Sequence, residues 1–438
     1  MNTRIPRALI AVGAAALLAA ACTPAPKETK VAAAPTKVSG TVEFWHFFTD
    51  REAAAIDSVI KDFEAANPDV KVTVKSGQDD AKMTQAIGAG TGPDVGLSYS
   101  TDIVGKFCSS GAWVDLTQYI KRDNVDLNQL NATTRSYTEF GGKRCAMPFL
   151  ADAYGIYYNK DLFAKAGIAG PPKTLDELTE DAKKLTVKNP DGSLKTVGFL
   201  PLFDYYENAA AHLAPMVGAK WLTADGKSAI GSDPAWKTLL TWQKSLVDYY
   251  GYANLSKFKA SLGDEFSADN AFQKGKVAIN VDAEYRLAFL KDQAPTLQYG
   301  VAPMPTSDPA RYGGGYITGN IMGISKNAKN PEAAWALIKY LTTDDKAVAK
   351  LGNLIKNVPT TTKSLADPTI QSDPDFKVFL DIFANPNSST TPPSSSGPAY
   401  QEAFAQFVTQ WQAGKVSNLD AGLASSDKKV NDVMQLGG

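Results

Sequence analysis

The chain has 438 residues, of which 44% are hydrophobic and 21% are charged, as expected for a water-soluble protein with enough sequence for two or three domains. The 45 basic and 46 acidic residues give a formal net charge of −1. This balance provides no basic field, so it argues against binding to nucleic acid or to an anionic membrane surface.

The N-terminus has the features of a signal peptide. Arg4 and Arg7 precede an apolar run over residues 8–21, which would rise only about 21 Å as a helix, too short for a hydrocarbon core of about 30 Å. We therefore predict that residues 1–21 are a secretory signal peptide. The sequence Leu18-Ala-Ala-Ala-Cys22 resembles a bacterial lipobox, and this resemblance implies that Cys22 is lipidated and becomes the first mature residue.

Residues 22–40 are then expected to form the lipid anchor and a flexible tether, because they are rich in Pro, Ala, Thr and Lys and lack periodicity. The mature protein would lie on the extracytoplasmic face of the cell membrane, attached only through its N-terminal lipid. A plain secretory signal with an incidental cysteine is the alternative.

Export also bears on the two remaining cysteines, Cys108 and Cys145. An oxidising exterior favours a disulfide between them, and two buried free thiols are the alternative. His46 and His212 are the only histidines of the chain. We therefore expect no metal site, no Cys/His catalytic pair and no cofactor.

The first hundred residues after the tether alternate between strand and helix patterns. Residues 41–45, 70–74 and 94–98 predict strands, and residues 50–66 and 83–89 predict helices between them. Strand, helix, strand, helix, strand is the pattern of a parallel α/β sheet.

The later chain keeps mixing these elements. Further strands are predicted over 155–158, 197–200, 277–281 and 321–324, and further helices over 160–166, 175–185, 235–250, 264–273, 331–342 and 398–413. Residues 386–397, rich in Pro, Asn, Ser and Thr, predict a surface loop. The absence of a 20–50-residue repeat argues against a solenoid or propeller.

Short motifs occur along the chain in a characteristic order. They are Trp45, Asn67-Pro-Asp-Val-Lys-Val72, Gly92-Pro-Asp-Val95, Met147-Pro-Phe149, Tyr157-Tyr-Asn-Lys-Asp-Leu-Phe163, Phe272-Gln-Lys-Gly-Lys-Val-Ala278, Gly300-Val-Ala-Pro-Met-Pro305, Asn330-Pro-Glu-Ala-Ala-Trp335, Val358-Pro359 and Trp411-Gln-Ala-Gly414. This order resembles that of the extracellular sugar-binding proteins of ABC importers, the maltose-binding-like family. The likeness covers the chain from about residue 41 to its end.

The resemblance implies an α/β, two-lobed periplasmic-binding-protein type II fold with hinge crossings and an interlobe cleft. Lobe one would comprise residues 41–149 plus 304–358, and lobe two residues 150–303 plus 359–438. The implied function is a monomeric, non-enzymatic binding protein that captures a mono- or oligosaccharide and delivers it to the membrane permease subunits of an ABC transporter.

A sugar site needs flat apolar faces for ring stacking and planar polar groups for the hydroxyls, and ligands of open α/β sheets lie beyond the carboxyl ends of strands. Aromatic and acidic side chains at such places are therefore the candidates. They are Trp45, His46, Asp79, Tyr99, Asp102, Asp152, Tyr154, Tyr205, Trp221, Asp282, Glu284, Tyr285, Gly315, Tyr316 and Tyr400. Gly315 is included because Gly313–Gly315 would allow a close backbone approach to a ligand.

For each candidate, a structural or solvated role is the alternative. Trp45, for instance, could be a core residue, and Asp102 could cap a helix. Asp152 is the strongest candidate, because sugar-binding relatives of the maltose type carry an acid at the corresponding place.

Two rival functions stay open. A secreted glycoside hydrolase would need two carboxylates, which Asp152 with Glu284 or Asp102 could supply, although no Gly-x-Ser-x-Gly elbow or Ser/His constellation is present. A binding protein for a non-sugar solute, such as a glycerophosphodiester, would need a cation in the cleft, and Arg286 and Arg311 are the candidates.

Overall fold

The computed structural model describes residues 31–436. The predicted signal peptide, Cys22 and the first part of the predicted tether lie outside the described residues. Residues 31–39 form neither helix nor strand, and the first element begins at Gly40.

Nine strands of the described chain form one sheet in the order β2-β1-β3-β11-β6-β9-β8-β7, with β10 also paired to β6, and a separate hairpin joins β4 and β5. The strands are β1 Gly40–Trp45, β2 Val70–Lys75, β3 Val95–Ser98, β4 Glu139–Phe140, β5 Lys143–Arg144, β6 Met147–Asn159, β7 Val187–Lys188, β8 Leu194–Phe199, β9 Val277–Ala283, β10 Tyr299–Ala302 and β11 Ile317–Ile324.

Helices cover both faces of this sheet. They are α1 Asp50–Ala66, α2 Asp80–Gly88, α3 Ile103–Ser110, α4 Thr117–Arg122, α5 Ala132–Tyr137, α6 Lys160–Lys165, α7 Leu175–Lys184, α8 Ala210–Leu213, α9 Pro234–Tyr250, α10 Tyr252–Lys259, α11 Arg286–Gln293, α12 Pro331–Thr343, α13 Asp345–Ile355, α14 Thr362–Leu365, α15 Pro368–Gln371, α16 Pro374–Ala384, α17 Ala399–Gln412 and α18 Leu419–Leu436.

The predicted parallel start of the fold is confirmed. β1 pairs in parallel with both β2 and β3, and α1 spans the predicted residues 50–66. The apolar spacing of α1 places Ile56, Val59 and Phe63 in the core, which is the burial that an amphipathic helix needs for stability.

β6 is the central element of the sheet and is much longer than the predicted strand at 155–158. Its first part pairs antiparallel with β11, up to Ala153, and its second part pairs antiparallel with β9, from Tyr154 onward. Because nearly every residue of β6 is buried, its sequence shows no alternation that would mark it as a strand. One strand therefore joins the two parts of the sheet.

Two hydrophobic cores lie on either side of this junction. The N-terminal core packs β1 and β2 against α1, α12 and α13, with Trp335 fully buried. The second core packs β8 and β9 against α7, α9 and α17, with Trp236 fully buried. A third cluster around Tyr157 and Phe379 covers the central strand between them.

Two expectations from the sequence are wrong. Residues 264–273 form a series of turns, because Asp264, Ser267 and Asn270 bond nearby backbone groups with their side chains and so compete with helical hydrogen bonds. The loop over 386–397 is not a surface loop: Thr391 and Ser394 are buried. It packs on α3 at Gly105, where a Cβ would lie 2.1 Å from the Ser394 carbonyl oxygen.

The predicted disulfide between Cys108 of α3 and Cys145 is present, with an S–S distance of 2.01 Å. It ties α3 to the start of the central strand region. In residues 31–436, no helix combines the length and the apolar character that crossing a bilayer requires.

Removing this disulfide should destabilise the protein. The bond closes a loop with a sequence separation of 37, so we expect the Cys108→Ala/Cys145→Ala double variant to lose about 4 kcal/mol of unfolding free energy on the chain-entropy account. Urea unfolding followed by far-UV circular dichroism measures this. Reductant should lower the stability of the parent protein and leave that of the double variant unchanged; equal urea midpoints without reductant would contradict the prediction.

Candidate functional site

A cavity of about 660 Å³ opens beside the midpoint of β6. It is bounded by the start of α1, by the loop after β3, by the end of β9 and by α11. The residues around it are mainly aromatic or acidic, and they come from both sides of the junction between the two cores.

Aromatic side chains form two facing walls. On the N-terminal side, Phe47 and Tyr99 pack edge to face with ring centroids 5.5 Å apart. On the opposite side, Phe266 lies 5.7 Å from Phe289 and 6.2 Å from Tyr285. Tyr99 is 52% exposed and Phe266 is 51% exposed. Large rings left this accessible are typical of a ligand-binding groove.

Asp152 forms the floor of the cavity together with two neighbours. Asn357 donates its Nδ2 to Asp152 Oδ1 and also to Glu284 Oε1, the latter at 3.2 Å. The backbone N–H of Ala153 donates to Glu284 Oε2 at 2.7 Å. Burial raises the pKa of Asp152 to about 7 and raises that of Glu284 well above its usual range. Two carboxyl groups that share one donor therefore hold at least one proton at neutral pH.

Further acceptors line the cavity. Glu207 accepts a hydrogen bond from the Tyr285 hydroxyl at 2.9 Å. Glu52 faces the cavity, and burial raises its pKa. Asn320 lies on the floor, and its Oδ1 is buried without a hydrogen-bond partner within residues 31–436. A buried acceptor of this kind is normally satisfied, so a donor on a ligand would complete it.

Arg51 is the only cationic residue of the cavity lining. Its guanidinium donates to the Leu354 carbonyl oxygen at 2.6 Å and lies 3.5 Å from Asp292. The positive charge is therefore engaged at the rim, so the interior of the cavity presents acceptors and aromatic faces.

Four of the residues predicted for the site line this cavity: Tyr99, Asp152, Tyr154 and Tyr285. Glu284 does not line the cavity, but it is linked to Asp152 by Asn357, whose side-chain amide donates to both carboxyl groups. The structure thus brings together candidates that are more than 180 residues apart in the chain.

A second group of predicted residues surrounds the loop over 386–397. Thr391 of this loop donates to Asp102 Oδ1 at 2.8 Å and lies 3.0 Å from the Tyr316 hydroxyl. Tyr400 donates to the Pro392 carbonyl oxygen at 2.9 Å. Trp221, buried against Tyr400 at a centroid distance of 5.5 Å, and Tyr316 border a smaller cavity of about 220 Å³.

The remaining candidates make structural contacts outside the main cavity. Trp45 donates to Glu43 at 2.6 Å, and Asp79 caps α2 by accepting from the Lys82 N–H. Gly315 has no Cβ and therefore leaves room for the Tyr154 carbonyl oxygen. A Cβ at position 315 would lie 2.4 Å from that oxygen.

Three further candidates are buried. Burial lowers the pKa of His46 to about 4. Tyr205 stacks on Tyr206 at 4.2 Å. Asp282 pairs with Arg286 at 2.6 Å, and both side chains are inaccessible. Arg286, considered above as a phosphate ligand, is therefore already neutralised inside the protein.

Several lining residues were not among the candidates, namely Phe47, Phe48, Glu52, Glu207, Phe266, Phe289, Asn320 and Asn357. Phe47 directly follows the first strand, so the rule used for Trp45 and His46 could have found it. Asn357 stands beside the predicted hinge motif Val358-Pro359. Phe266 was missed because the turns over 264–273 were predicted to be helical, and Phe289 was missed because no element was predicted over α11.

Comparison with known proteins identifies the family. Residues 49–348 match the family model described as bacterial extracellular solute-binding protein. The match covers more than half of the 438 residues, so the chain belongs to this family, in agreement with the resemblance found in the sequence.

Named relatives match over most of their length. The maltotriose-binding protein of Pyrococcus abyssi is 27% identical over 344 residues, which cover 77% of this chain and 70% of the relative. The maltooligosaccharide ABC transporter solute-binding lipoprotein of Streptococcus pneumoniae is 26% identical over 404 residues, which cover 87% of this chain and 84% of the relative.

Solved structures share the architecture. CpMnBP1 with bound mannotriose superposes with a TM-score of 0.79 at 25% identity, covering 89% of this chain and 99% of that chain. The sugar-binding protein MalE of Xanthomonas citri superposes with a TM-score of 0.74 at 20% identity, covering 91% and 98%. The chain therefore has the two-lobed type II fold of periplasmic binding proteins, which confirms the predicted fold class.

The buried carboxyl pair should make stability depend on pH. The folded protein keeps at least one proton on the pair of Asp152 and Glu284 that the unfolded chain releases between about pH 4 and 5, so unfolding free energy falls as pH rises through this range toward 8. In Glu284→Gln, the amide oxygen can still accept from the Ala153 N–H, and the amide NH2 replaces the oxygen that accepts from Asn357. We expect this variant to show a shallower fall in melting temperature from pH 5 to 8.

The exposed change Glu180→Gln is the matched control, since the Glu180 side chain is 72% accessible. It should leave the pH profile of the parent unchanged. A Glu284→Gln profile that runs parallel to the parent profile would show that the pair does not retain its proton.

Proposed function

We propose that this solute-binding protein captures a short oligosaccharide in the cavity between its lobes and delivers it to the membrane permease of an ABC importer. The observation that carries the proposal is the pair of facing aromatic walls, Phe47 with Tyr99 and Phe266 with Phe289, above an acidic floor. Relatives named for maltotriose and maltooligosaccharides support it.

The cavity suits the chemistry of a sugar. Its volume of about 660 Å³ falls within the range of about 300–1,000 Å³ that is usual for small-ligand pockets. Pyranose rings have apolar faces that would stack between the aromatic walls. Their hydroxyl groups would donate to Glu52, Asp152 and Glu207, since hydrogen bonds to carboxylates are short and directional.

The proposed lobes follow the two hydrophobic cores. We assign residues 41–149 plus 304–358 to lobe one, which holds the N-terminal core, and residues 150–303 plus 359–438 to lobe two, which holds the second core. The chain would cross between them within β6, before β11, and beside Ala151, where Val358 exchanges two backbone hydrogen bonds with that residue. These crossings would be the hinge.

Lipidation at Cys22 would keep the protein near its permease on the extracytoplasmic face of the membrane. The disulfide agrees with that compartment, because such bonds persist in oxidising surroundings. In this proposal the protein acts as a monomer that is tethered by its N-terminal lipid.

The geometry disfavours both carboxyl pairs that were considered above for a glycoside hydrolase. Such enzymes place two carboxyl groups about 5–9.5 Å apart on either side of the scissile bond. Asp152 and Glu284 instead accept from the same amide of Asn357, and Glu284 lies behind the cavity rather than in its lining. Asp102 is bonded to Thr391 of the loop over 386–397.

A phosphodiester ligand is disfavoured for a similar reason. Arg286 is buried against Asp282, and Arg311 lies outside the cavity lining. The lining itself carries five acidic residues and one basic residue, which would repel an anion.

A panel of sugars tests the proposal directly. Maltose, maltotriose, mannobiose and mannotriose, added to the protein in thermal-shift assays, should include at least one that raises the melting temperature, because a ligand at 100 times its Kd stabilises by about 2.7 kcal/mol. In Asp152→Ala this shift should disappear. Asp80→Asn removes another buried carboxyl, outside the cavity lining, and should retain the shift.

A flat response to every sugar together with a shift for glycerophosphodiesters would reject the sugar assignment. Incubation with chromogenic glycosides addresses the enzymatic rival: steady release of chromophore, in proportion to protein concentration, would reject transport as the sole function.

The exposed ring of Tyr99 provides a sharper test of stacking. Tyr99→Ala should weaken binding of the panel sugar that stabilises the parent most by about three- to tenfold, since an aromatic contact contributes about 0.5–1.5 kcal/mol. Tyr249 is 49% exposed, compared with 52% for Tyr99, and lies outside the cavity lining, so Tyr249→Ala should bind like the parent. Equal affinities of the two variants in isothermal titration calorimetry would remove Tyr99 from the site.

A further inference from the structure

His212 lies behind the wall of the cavity and packs against two tyrosine rings. Its centroid is 4.5 Å from that of Tyr154 in β6 and 4.6 Å from that of Tyr316, which precedes β11. Tyr154 also lines the cavity. Because the two tyrosine rings are themselves 5.5 Å apart, the three rings form one cluster, which restricts rotation of the imidazole.

The imidazole of His212 contacts both the backbone and the side chain of Glu207. Nδ1 of His212 lies 2.9 Å from the Glu207 carbonyl oxygen and 3.1 Å from Glu207 Oε2. Both of these oxygens are acceptors, so Nδ1 carries a proton and acts as the donor. One imidazole nitrogen therefore holds both the backbone and the carboxylate of the same residue.

The carboxylate of Glu207 is also held from a second direction. Tyr285, at the end of β9, donates its hydroxyl to Glu207 Oε1 at 2.9 Å. Each carboxylate oxygen thus takes at least one hydrogen bond from the protein, and the Glu207 side chain also bonds that of Glu265. A carboxylate has about four acceptor sites, and because Glu207 is part of the cavity lining, the remaining sites are available to a ligand.

We propose that His212, as an imidazolium, is a positioning residue that keeps the Glu207 carboxylate ionised and directed into the cavity, so that sugar affinity falls when His212 loses its proton. The affinity part of this inference rests on the proposed function. The pairing of His212 with Glu207 stands on the geometry alone.

The charges around the pair agree with this role. Asp102, at the start of α3, and Glu207 are the acids that face His212, and the rings of Tyr154 and Tyr316 pack against it. Burial lowers the pKa of His212, but the hydrogen bond and charge of Glu207 outweigh it and leave that pKa raised. Burial acts to raise the pKa of Glu207, yet the bonds from His212 and Tyr285 bring it to about 2.

The sign of the pH effect follows. The imidazolium is present below its raised pKa and is lost as pH rises through that value, so Glu207 then loses its counter-charge. Glu265 also faces Glu207, and burial raises the pKa of Glu265 to about 9. Asp152 lines the same cavity, and burial raises its pKa to about 7. A test must therefore separate the titration of His212 from those of Glu265 and Asp152.

Nuclear magnetic resonance tests the pairing without a ligand. His46 and His212 are the only histidines, so two sets of imidazole signals report both residues, and the set that His212→Asn removes is that of His212. We expect the pKa of His212 to exceed its usual value in the parent and to fall by about one unit or more in Glu207→Gln. An unchanged pKa in this variant would overturn the proposal.

Calorimetry from pH 6 to 9 tests the effect on binding, with the panel sugar that stabilises the parent most. His212→Phe keeps an aromatic ring and removes the donor, whereas His212→Asn keeps a neutral donor near the position of Nδ1. We expect affinity of the parent to fall as pH rises. His212→Phe should bind about tenfold more weakly at pH 6, and both variants should show a smaller pH dependence than the parent, because the titration of His212 is lost while that of Asp152 remains.

Glu265→Gln is the matched control and should keep the pH dependence of the parent. Parent-like affinity of His212→Phe at pH 6, or a flat profile for Glu265→Gln, would overturn the proposal. If His212→Phe does not fold, His212→Asn provides the same comparison of pH profiles. If no sugar binds the parent at any pH, the proposed function fails, and the imidazole titration still decides whether His212 and Glu207 are paired.

Discussion

The site depends on burying a carboxyl group at the midpoint of a strand that both lobes share. β6 changes its partner from β11 to β9 between Ala153 and Tyr154, and Asp152 lies immediately before this change. A buried charge is costly unless it is paired or neutralised. The contacts of Asn357 and Glu284 with Asp152 meet that requirement, and they bring the chain segment beside Val358 onto β6. The electrostatics of the floor and the position of the proposed hinge are thus consequences of one buried group.

This arrangement links the two lobes to the chemistry of binding. Phe47 and Tyr99 follow strands of the N-terminal side, whereas Phe266 and Phe289 flank β9 and α11 on the other side. A ligand that touches both walls gains contacts only when the walls are close together. Its differential affinity for the closed arrangement is what shifts the population of the protein toward closure.

Much of the fold could be predicted from the sequence, because periodic burial has a direct signature. The apolar spacing of α1 and the alternation in β2 gave their correct bounds within one residue. The full length of β6 was not predicted, because a strand that is buried on both faces shows no alternation of apolar and polar residues. Residues 264–273 form turns, but their sequence pattern predicted a helix. Within the site, Tyr99 and Tyr285 could be predicted from their position after strand ends, and Asp152 from the family resemblance. The positions of Glu207 and Asn357 in the site could not be predicted, because they depend on tertiary contacts between segments that are distant in sequence.

The rim of the cavity explains why a ligand, rather than the protein alone, would set the closed arrangement. Arg51 of α1 and Asp292 of α11 form the ion pair that spans the rim, at 3.5 Å, with side chains that are 38% and 56% accessible. Such exposed pairs contribute about 0–1 kcal/mol, too little to lock two lobes. In the proposed function, stacking of a sugar on both walls, together with hydrogen bonds to Asp152 and Glu207, would involve several contacts of about 0.5–1.5 kcal/mol each. Closure of the lobes would then depend on the ligand.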